Sequence, residues 1–211
     1  MRVKVCGLTD PREAVACADL GAWAIGLIFA AESARCVTPE AARLVVEALP
    51  PEVRKVGIFV DPGIDETAEI VEACGLTDVQ VHGDGVDVAA IRAACARPVF
   101  QGFSVTGPAS LDAARRSEAD LVLLDAAVPG RHGGTGTTFD WTLLEAVELG
   151  RPFALAGGLT PGNVTEAIRR ARPAVVDVSS GVERAPGRKD PRLVRAFMEG
   201  VRAAAMTGSA A

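Results

Sequence analysis

Two residues that can transfer protons each close a short apolar segment of this sequence. Cys6 ends the segment 3–6, and Asp125 ends the segment 121–125. In α/β proteins, functional groups commonly lie at the C-terminal ends of strands. A thiolate can act as a general base and a protonated carboxyl as a general acid. The pair therefore predicts an enzyme whose catalytic residues are Cys6 and Asp125.

Each of these two residues also has a purely structural interpretation. A free cysteine is often a small buried hydrophobe, and an aspartate here can cap the following loop. Because a thiol has an ordinary pKa of about 8.5, Cys6 needs a nearby positive charge to act as a base near neutrality. Strand alternation puts Lys4 on the same side as Cys6, so Lys4 is the predicted source of that charge. For Asp125, apolar surroundings predict a desolvated carboxyl that keeps its proton.

Glycine-rich segments in the last half of the sequence are candidates for binding an anion. Glycine lets backbone N–H groups approach a phosphate closely, although it also serves simply to make tight turns. Two Gly-Gly pairs and a Ser-Ser-Gly segment together favour phosphate binding over turns alone. The predicted phosphate-binding residues are Gly134, Gly136, Gly157, Gly158, Ser180 and Gly181.

Two further polar residues are candidates for contact with a substrate. Arg35 follows an apolar segment, where it could grip a carboxylate with two hydrogen bonds or be an ordinary exposed loop arginine. His82 ends the segment 78–82, where it could orient a substrate or be a hydrogen-bonded structural histidine.

The elements that must position these residues follow a regular alternation. Short aliphatic segments are separated by stretches rich in Ala, Arg and Glu with helical spacing. Strands are predicted at 3–6, 22–29, 55–60, 78–82, 98–103, 121–125, 152–156 and 174–179. Helices are predicted at 11–20, 39–49, 64–74, 86–96, 109–116, 141–149, 161–170 and 191–204. Helix starts are marked by a proline that follows Asp or Thr, namely Pro11, Pro39, Pro161 and Pro191.

Eight strands, each followed by a helix, predict a single α/β domain, a (β/α)8 TIM barrel over residues 1–204. A disordered C-terminal tail is expected at 205–211. A doubly wound open sheet is the alternative, but no Gly-x-Gly-x-x-Gly follows the first strand, which favours closure. In a closed barrel the eighth strand lies beside the first, so Asp177 is the predicted partner of Lys4. Arg35, His82 and Asp177 are then the predicted substrate-binding residues.

Composition argues against several other classes of function. The 211 residues carry a net charge of −5, which argues against a nucleic acid partner. No apolar stretch is long enough to span a membrane and no export signal is recognisable, so we expect a cytoplasmic protein without membrane contact. Five cysteines without short paired spacings fit a reducing compartment, and two histidines argue against a zinc site. We expect a monomer, with a homodimer as the alternative.

The segments around these residues resemble the phosphoribosylanthranilate isomerase family of the tryptophan pathway. The resemblance extends from Val3 to about Met198. Its motifs, which are highly specific in combination and order, include Gly133-Gly134-Thr135-Gly136, Ala156-Gly157-Gly158-Leu159-Thr160-Pro161 and Val178-Ser179-Ser180-Gly181-Val182-Glu183. Further similar segments are 3–9, 26–29, 33–37, 55–60, 79–83, 123–125, 139–141 and 186–190.

The resemblance implies a barrel of the ribulose-phosphate-binding type and a small-molecule sugar-phosphate substrate. N-(5-phosphoribosyl)anthranilate would become 1-(2-carboxyphenylamino)-1-deoxyribulose 5-phosphate by an acid/base Amadori rearrangement, with no metal and no redox cofactor. Carried over to this sequence, Asp125 protonates the ribose ring oxygen and Cys6 removes the C2′ proton. Arg35 engages the anthranilate carboxylate, and the late glycine loops hold the phosphate.

Two alternatives stand beside this interpretation. The histidine-pathway sister isomerase would be expected to carry a carboxylate where Cys6 stands, and an enzyme acting on both substrates is a related alternative. A non-catalytic phosphate-binding barrel would keep the fold without the proton transfers. The sequence also departs from the family at Ser33-Ala34-Arg35-Cys36, where Ser-Pro-Arg-Tyr is frequent. The missing aromatic residue predicts a looser pocket for the substrate's ring.

Overall fold

The chain forms a closed barrel of eight parallel strands, described for residues 1–125 and 149–207 of a computed structural model. Each strand pairs with the next, and β1 also pairs with β8, which closes the sheet. The strands are β1 (Arg2–Cys6), β2 (Ala24–Ile28), β3 (Arg54–Val60), β4 (Asp78–His82), β5 (Val99–Ser104), β6 (Leu121–Asp125), β7 (Phe153–Ala156) and β8 (Val175–Val178). The predicted TIM barrel is confirmed, and the open-sheet alternative is wrong.

Helices surround this barrel, and a small hairpin follows its last strand. The helices of the described residues are α1 (Pro11–Asp19), α2 (Pro39–Ala48), α3 (Ile64–Cys74), α4 (Val88–Cys95), α5 (Pro108–Arg116), α6 (Val164–Ala171) and α7 (Pro191–Thr207). A 3₁₀ turn (Ser180–Val182) leads into the hairpin of β9 (Glu183–Ala185) and β10 (Arg188–Lys189). The helix predicted at 141–149 lies outside the described residues, apart from Leu149 at its end.

Three of the four predicted helix starts are confirmed by their capping hydrogen bonds. Asp10, Thr38 and Asp190 each accept a hydrogen bond from a backbone N–H in the first helical turn that follows. The prediction that Pro161 opens a helix is wrong, because α6 begins three residues later. The Asn163 side chain accepts from the Thr160 N–H and donates to the Gly158 carbonyl, which holds Thr160–Asn163 as a turn.

The two faces of each strand have different neighbours, and this difference decides which side chains reach the site. One face packs outward against the helices, as Val5 on β1 and Val176 on β8 do in the main apolar core. The other face points into the barrel, where small apolar side chains such as Ala24, Val56 and Ala154 form separate clusters. Cys6 belongs to an interior cluster, so the alternate residue Lys4 also faces the interior.

Candidate active site

A cavity of about 240 Å³ at the C-terminal ends of the strands collects most of the predicted site residues. The predicted residues that line it are Cys6, Arg35, His82, Asp125, Gly157, Gly158, Asp177 and Ser180. Gly181 does not line the cavity, and Gly134 and Gly136 lie outside the described residues. The strand ends therefore bring one thiol, two carboxylates, one guanidinium and one imidazole to a single opening, which is a suitable environment for acid/base chemistry.

Cys6 is a buried thiol at the end of β1, and only 8% of its surface is exposed. Its neighbour on β2 is Gly26, where an added Cβ would lie 2.9 Å from the Cys6 sulfur. Burial raises the pKa of the Cys6 thiol, and the positive charges of Lys4 and Lys189 lower it by less. Lys4 thus acts in the predicted direction, but the sum of these effects keeps the thiol protonated at neutral pH.

Lys4 and Asp177 form the predicted ion pair inside the barrel. Lys4 Nζ donates to Asp177 Oδ2 at 2.8 Å, across the β1–β8 pairing that closes the sheet. Lys4 and Asp177 are 2% and 7% exposed. Burial opposes the charge on Lys4, but Asp177 and Cys6 outweigh it and raise the pKa of the lysine. The second oxygen, Asp177 Oδ1, has no hydrogen-bond partner among the described residues.

His82 is a neutral imidazole held by Gln80, two residues earlier on the same face of β4. The Gln80 amide nitrogen lies 2.8 Å from His82 Nε2. Burial lowers the pKa of His82 to about 4, with Lys4 adding to the effect, so the ring is uncharged at neutral pH. Which of the two groups donates in this hydrogen bond depends on which ring nitrogen carries the proton. Gln80 Oε1 is buried and, like Asp177 Oδ1, without a hydrogen-bond partner in the described part of the chain.

Arg35 is not a free loop arginine, because its guanidinium is bound on one edge by Glu183. Nε and Nη2 of Arg35 donate to the two carboxylate oxygens of Glu183 at 2.8 and 2.7 Å. Lys189 Nζ donates to Glu183 Oε1 at 2.7 Å. Burial alone would raise the pKa of Glu183, but the hydrogen bonds from Arg35 and Lys189 hold it below its ordinary value. Glu183 is therefore an ionised carboxylate between two cations.

The loops after β7 and β8 form a glycine-lined wall of the cavity. Gly157 and Gly158 have φ values of +88° and +62°, a left-handed pair that residues with a side chain rarely adopt. Ser180 follows β8 and lies on the same wall. Gly181 lets the loops after β7 and β8 pack closely, because a Cβ there would lie 1.9 Å from the Leu159 carbonyl oxygen. Consecutive residues of this kind can turn backbone N–H groups toward an anion.

The sequence interpretation assigned no role to Gln80, Glu183 or Lys189. Gln80 could have been found from strand alternation, because it shares a face with His82. Glu183 and Lys189 lie in motifs that resemble the family, but their contact with Arg35 depends on the hairpin geometry. Within residues 1–125 and 149–207, no cluster of His, Cys, Asp and Glu could hold a metal ion. No helix in these ranges is long and apolar enough to cross a membrane.

The closed barrel and its site define a (β/α)8-barrel enzyme with acid and base groups beside a glycine-lined wall. Residues 3–200 match the family model described as N-(5'phosphoribosyl)anthranilate (PRA) isomerase. The chain belongs to this family, and it is an isomerase of tryptophan biosynthesis.

Relatives of known name and structure agree with this assignment. An N-(5'-phosphoribosyl)anthranilate isomerase of Geobacter sp. strain M21 is 43% identical over 197 residues, covering 93% of this chain and 96% of its own. The crystal structure of phosphoribosyl anthranilate isomerase from Thermotoga maritima has a TM-score of 0.89 and 36% identity, covering 96% of this chain and 99% of its own. A phosphoribosyl anthranilate isomerase in complex with reduced 1-(o-carboxyphenylamino)-1-deoxyribulose 5-phosphate has a TM-score of 0.84 and 33% identity, with the same coverage.

Proposed function

We propose that Cys6 and Asp125 carry out the proton transfers that isomerise N-(5-phosphoribosyl)anthranilate. Asp125 gives its proton to the ribose ring oxygen, the C1′–O bond breaks, and the nitrogen lone pair forms an iminium at C1′. Cys6, as the thiolate, then removes the proton from C2′ to give an enolamine, which tautomerises to the ketone. The observation that carries this proposal is that β1 and β6 present both groups to one cavity.

The charges around Cys6 support a thiolate that forms during the reaction. A thiol whose pKa is raised by burial is a stronger base once ionised. Lys4 and Lys189 place two positive charges near the sulfur, and these favour the thiolate over the thiol. The iminium formed in the first step adds a third positive charge beside it. We infer that ring opening assists the ionisation of Cys6, whose proton passes to solvent or to the Asp125 carboxylate left by the first step.

The remaining polar groups suit the rest of the substrate. Asp177 Oδ1 and Gln80 Oε1 are buried acceptors without partners in the described residues, and ribose hydroxyl groups would satisfy them. Arg35 can offer its remaining edge to the anthranilate carboxylate. Gly157, Gly158 and Ser180 provide backbone for the phosphate. Gly134 and Gly136 stay predicted phosphate ligands, and a monomer stays the predicted state.

The roles of the acid and the base are tested by complementation and by assay. A tryptophan auxotroph lacking the isomerase should grow with the wild-type gene and should not grow with Cys6→Ala or Asp125→Ala. In an assay of the purified proteins, wild type should consume the substrate, measured as the loss of its fluorescence, and the two alanine variants should not. Cys95→Ala, at the end of α4, and Asp65→Ala, exposed in α3, are matched controls, because neither residue lines the cavity. Growth with the Asp125 variant would remove Asp125 from the mechanism.

A further inference from the structure

A chain of three charged residues runs from the cavity into the hairpin that follows β8. Arg35 lines the cavity, and Glu183 binds its guanidinium on one edge. Lys189 Nζ donates to Glu183 Oε1, the oxygen that also accepts from Arg35 Nε. Glu183 and Lys189 are 4% and 1% exposed, so this chain is built into the protein rather than formed on its surface. We propose that Glu183 and Lys189 are positioning residues that aim Arg35 at the carboxylate of the substrate. The inference rests on the proposed role of Arg35.

The first argument for this role is geometric. A guanidinium is planar and carries five N–H donors, of which those on Nε and Nη2 face Glu183. Two parallel hydrogen bonds fix the plane, so the direction of the opposite edge at Nη1 is fixed as well. No hydrogen bond within the described residues uses Nη1. An arginine held in this way gives up little further side-chain entropy when a carboxylate binds.

The second argument concerns charge. Arg35 and Glu183 alone would form a neutral pair, and a neutral pair attracts an incoming carboxylate weakly. Lys189 adds one positive charge to the pair, so the three residues together carry a net charge of +1. Lys189 also donates to the Ser179 carbonyl at 3.2 Å, which fixes its ammonium beside Glu183. The arrangement thereby combines a fixed guanidinium with a residual positive charge.

The hairpin that carries Glu183 and Lys189 is itself fastened to the first βα unit. The Lys189 backbone N–H donates to Glu13 Oε2 at 2.7 Å, and Arg188 binds the other oxygen of Glu13. Thr9 Oγ1 donates to the Gly187 carbonyl at 2.9 Å. These bonds tie β9 and β10 to α1 and to the loop after β1. Glu183 is therefore held by contacts that do not involve the substrate.

A comparison of two substrates tests this proposal. The first is phosphoribosylanthranilate, and the second is phosphoribosylaniline, which lacks the carboxylate. With the first substrate, Glu183→Gln and Lys189→Met should each raise KM roughly tenfold, as expected for a weakened charge-assisted hydrogen bond. In Glu183→Gln, kcat should change less than about threefold, whereas in Lys189→Met it should fall with both substrates, because Lys189 also favours the Cys6 thiolate. With the second substrate, KM of both variants should equal that of wild type within about twofold. Glu199→Gln, on the exposed face of α7, is the matched control and should change neither.

The Glu183→Gln variant distinguishes an effect on the position of Arg35 from an effect on the charge around it. It removes a negative charge beside Arg35, so an effect of charge alone would lower KM for phosphoribosylanthranilate, which would overturn the proposal. An equal rise in KM for both substrates would also overturn the proposal, because Glu183 would then support the barrel in general. In an Arg35→Met background, Glu183→Gln should have no further effect on KM. If Arg35→Met changes KM equally for both substrates, the proposed role of Arg35 is wrong, and the inference that rests on it is wrong as well.

Discussion

Lys4 and Asp177 join the first and last strands of the barrel through a buried ion pair, with Nζ and Oδ2 2.8 Å apart. The same lysine lies close enough to Cys6 to lower the pKa of its thiol. A single contact therefore links closure of the barrel to the electrostatics of the proposed base. Because both charges are buried, neither partner can be lost without leaving the other uncompensated.

We expect Lys4→Met to destabilise the protein by about 3–5 kcal/mol, the usual cost of leaving one buried charge without its partner. The measurement is the free energy of unfolding from urea denaturation at pH 7. The double variant Lys4→Met/Asp177→Leu removes both charges, so it should recover at least half of the loss. A loss below about 1 kcal/mol in the single variant would contradict the importance of this pair.

Stability should fall in mild acid because of His82. The pKa of His82 is about 4 in the folded protein, lowered by burial from an ordinary value of 6.5. Between these values the unfolded chain binds a proton that the folded protein does not, so unfolding becomes easier as the pH falls. We expect the free energy of unfolding to drop by about 2–3 kcal/mol from this residue between pH 7 and pH 4.

The variant His82→Gln isolates this contribution from that of the carboxylates. It cannot take up the proton, so its free energy of unfolding should fall less over the same pH interval. Urea denaturation of both proteins at half-unit steps of pH gives the difference directly. Parallel curves for wild type and variant would show that the histidine does not titrate as described.

The cysteines should differ sharply in their reaction with iodoacetamide. Cys36 is exposed, whereas Cys6 is buried with a raised pKa. Since the thiolate is the reactive form, Cys36 should be alkylated at pH 7 at least about tenfold faster than Cys6. Mass spectrometry of peptides taken over time measures both rates in the same sample. A Cys6 rate equal to that of Cys36 would mean that its thiol is already ionised, contrary to the effect of burial.

The sequence allowed the barrel to be predicted because each element carries a local signal. Apolar segments such as 121–125 and capping residues such as Asp10 depend on near neighbours alone. The Lys4–Asp177 pair also followed, once closure of the barrel placed β8 beside β1. Strand alternation and strand order therefore suffice where the partners lie on regular elements.

The parts that could not be predicted depend on irregular backbone. Arg35 lies in one loop and Glu183 in the hairpin after β8, and no periodicity relates the two. The predicted helix start at Pro161 was wrong for a similar reason. The Asn163 side chain bonds the Thr160 N–H and the Gly158 carbonyl, and the turn held in this way replaces the first turn of the predicted helix. The pKa of the Cys6 thiol, which burial raises and two lysines lower, likewise depends on distances that only the folded structure gives.

Gly181, in the loop after β8, offers a test of how closely this loop must pack against the loop after β7. A Cβ at Gly181 would lie 1.9 Å from the Leu159 carbonyl oxygen, so Gly181→Ala must push these two loops apart. We expect a loss of about 1–3 kcal/mol in the free energy of unfolding and a higher KM for the substrate. Gly162→Ala is the matched control, since its nearest neighbour would be the Thr160 hydroxyl at an ordinary 3.7 Å. Equal stability and equal KM in the two variants would show that the loops tolerate a wider spacing.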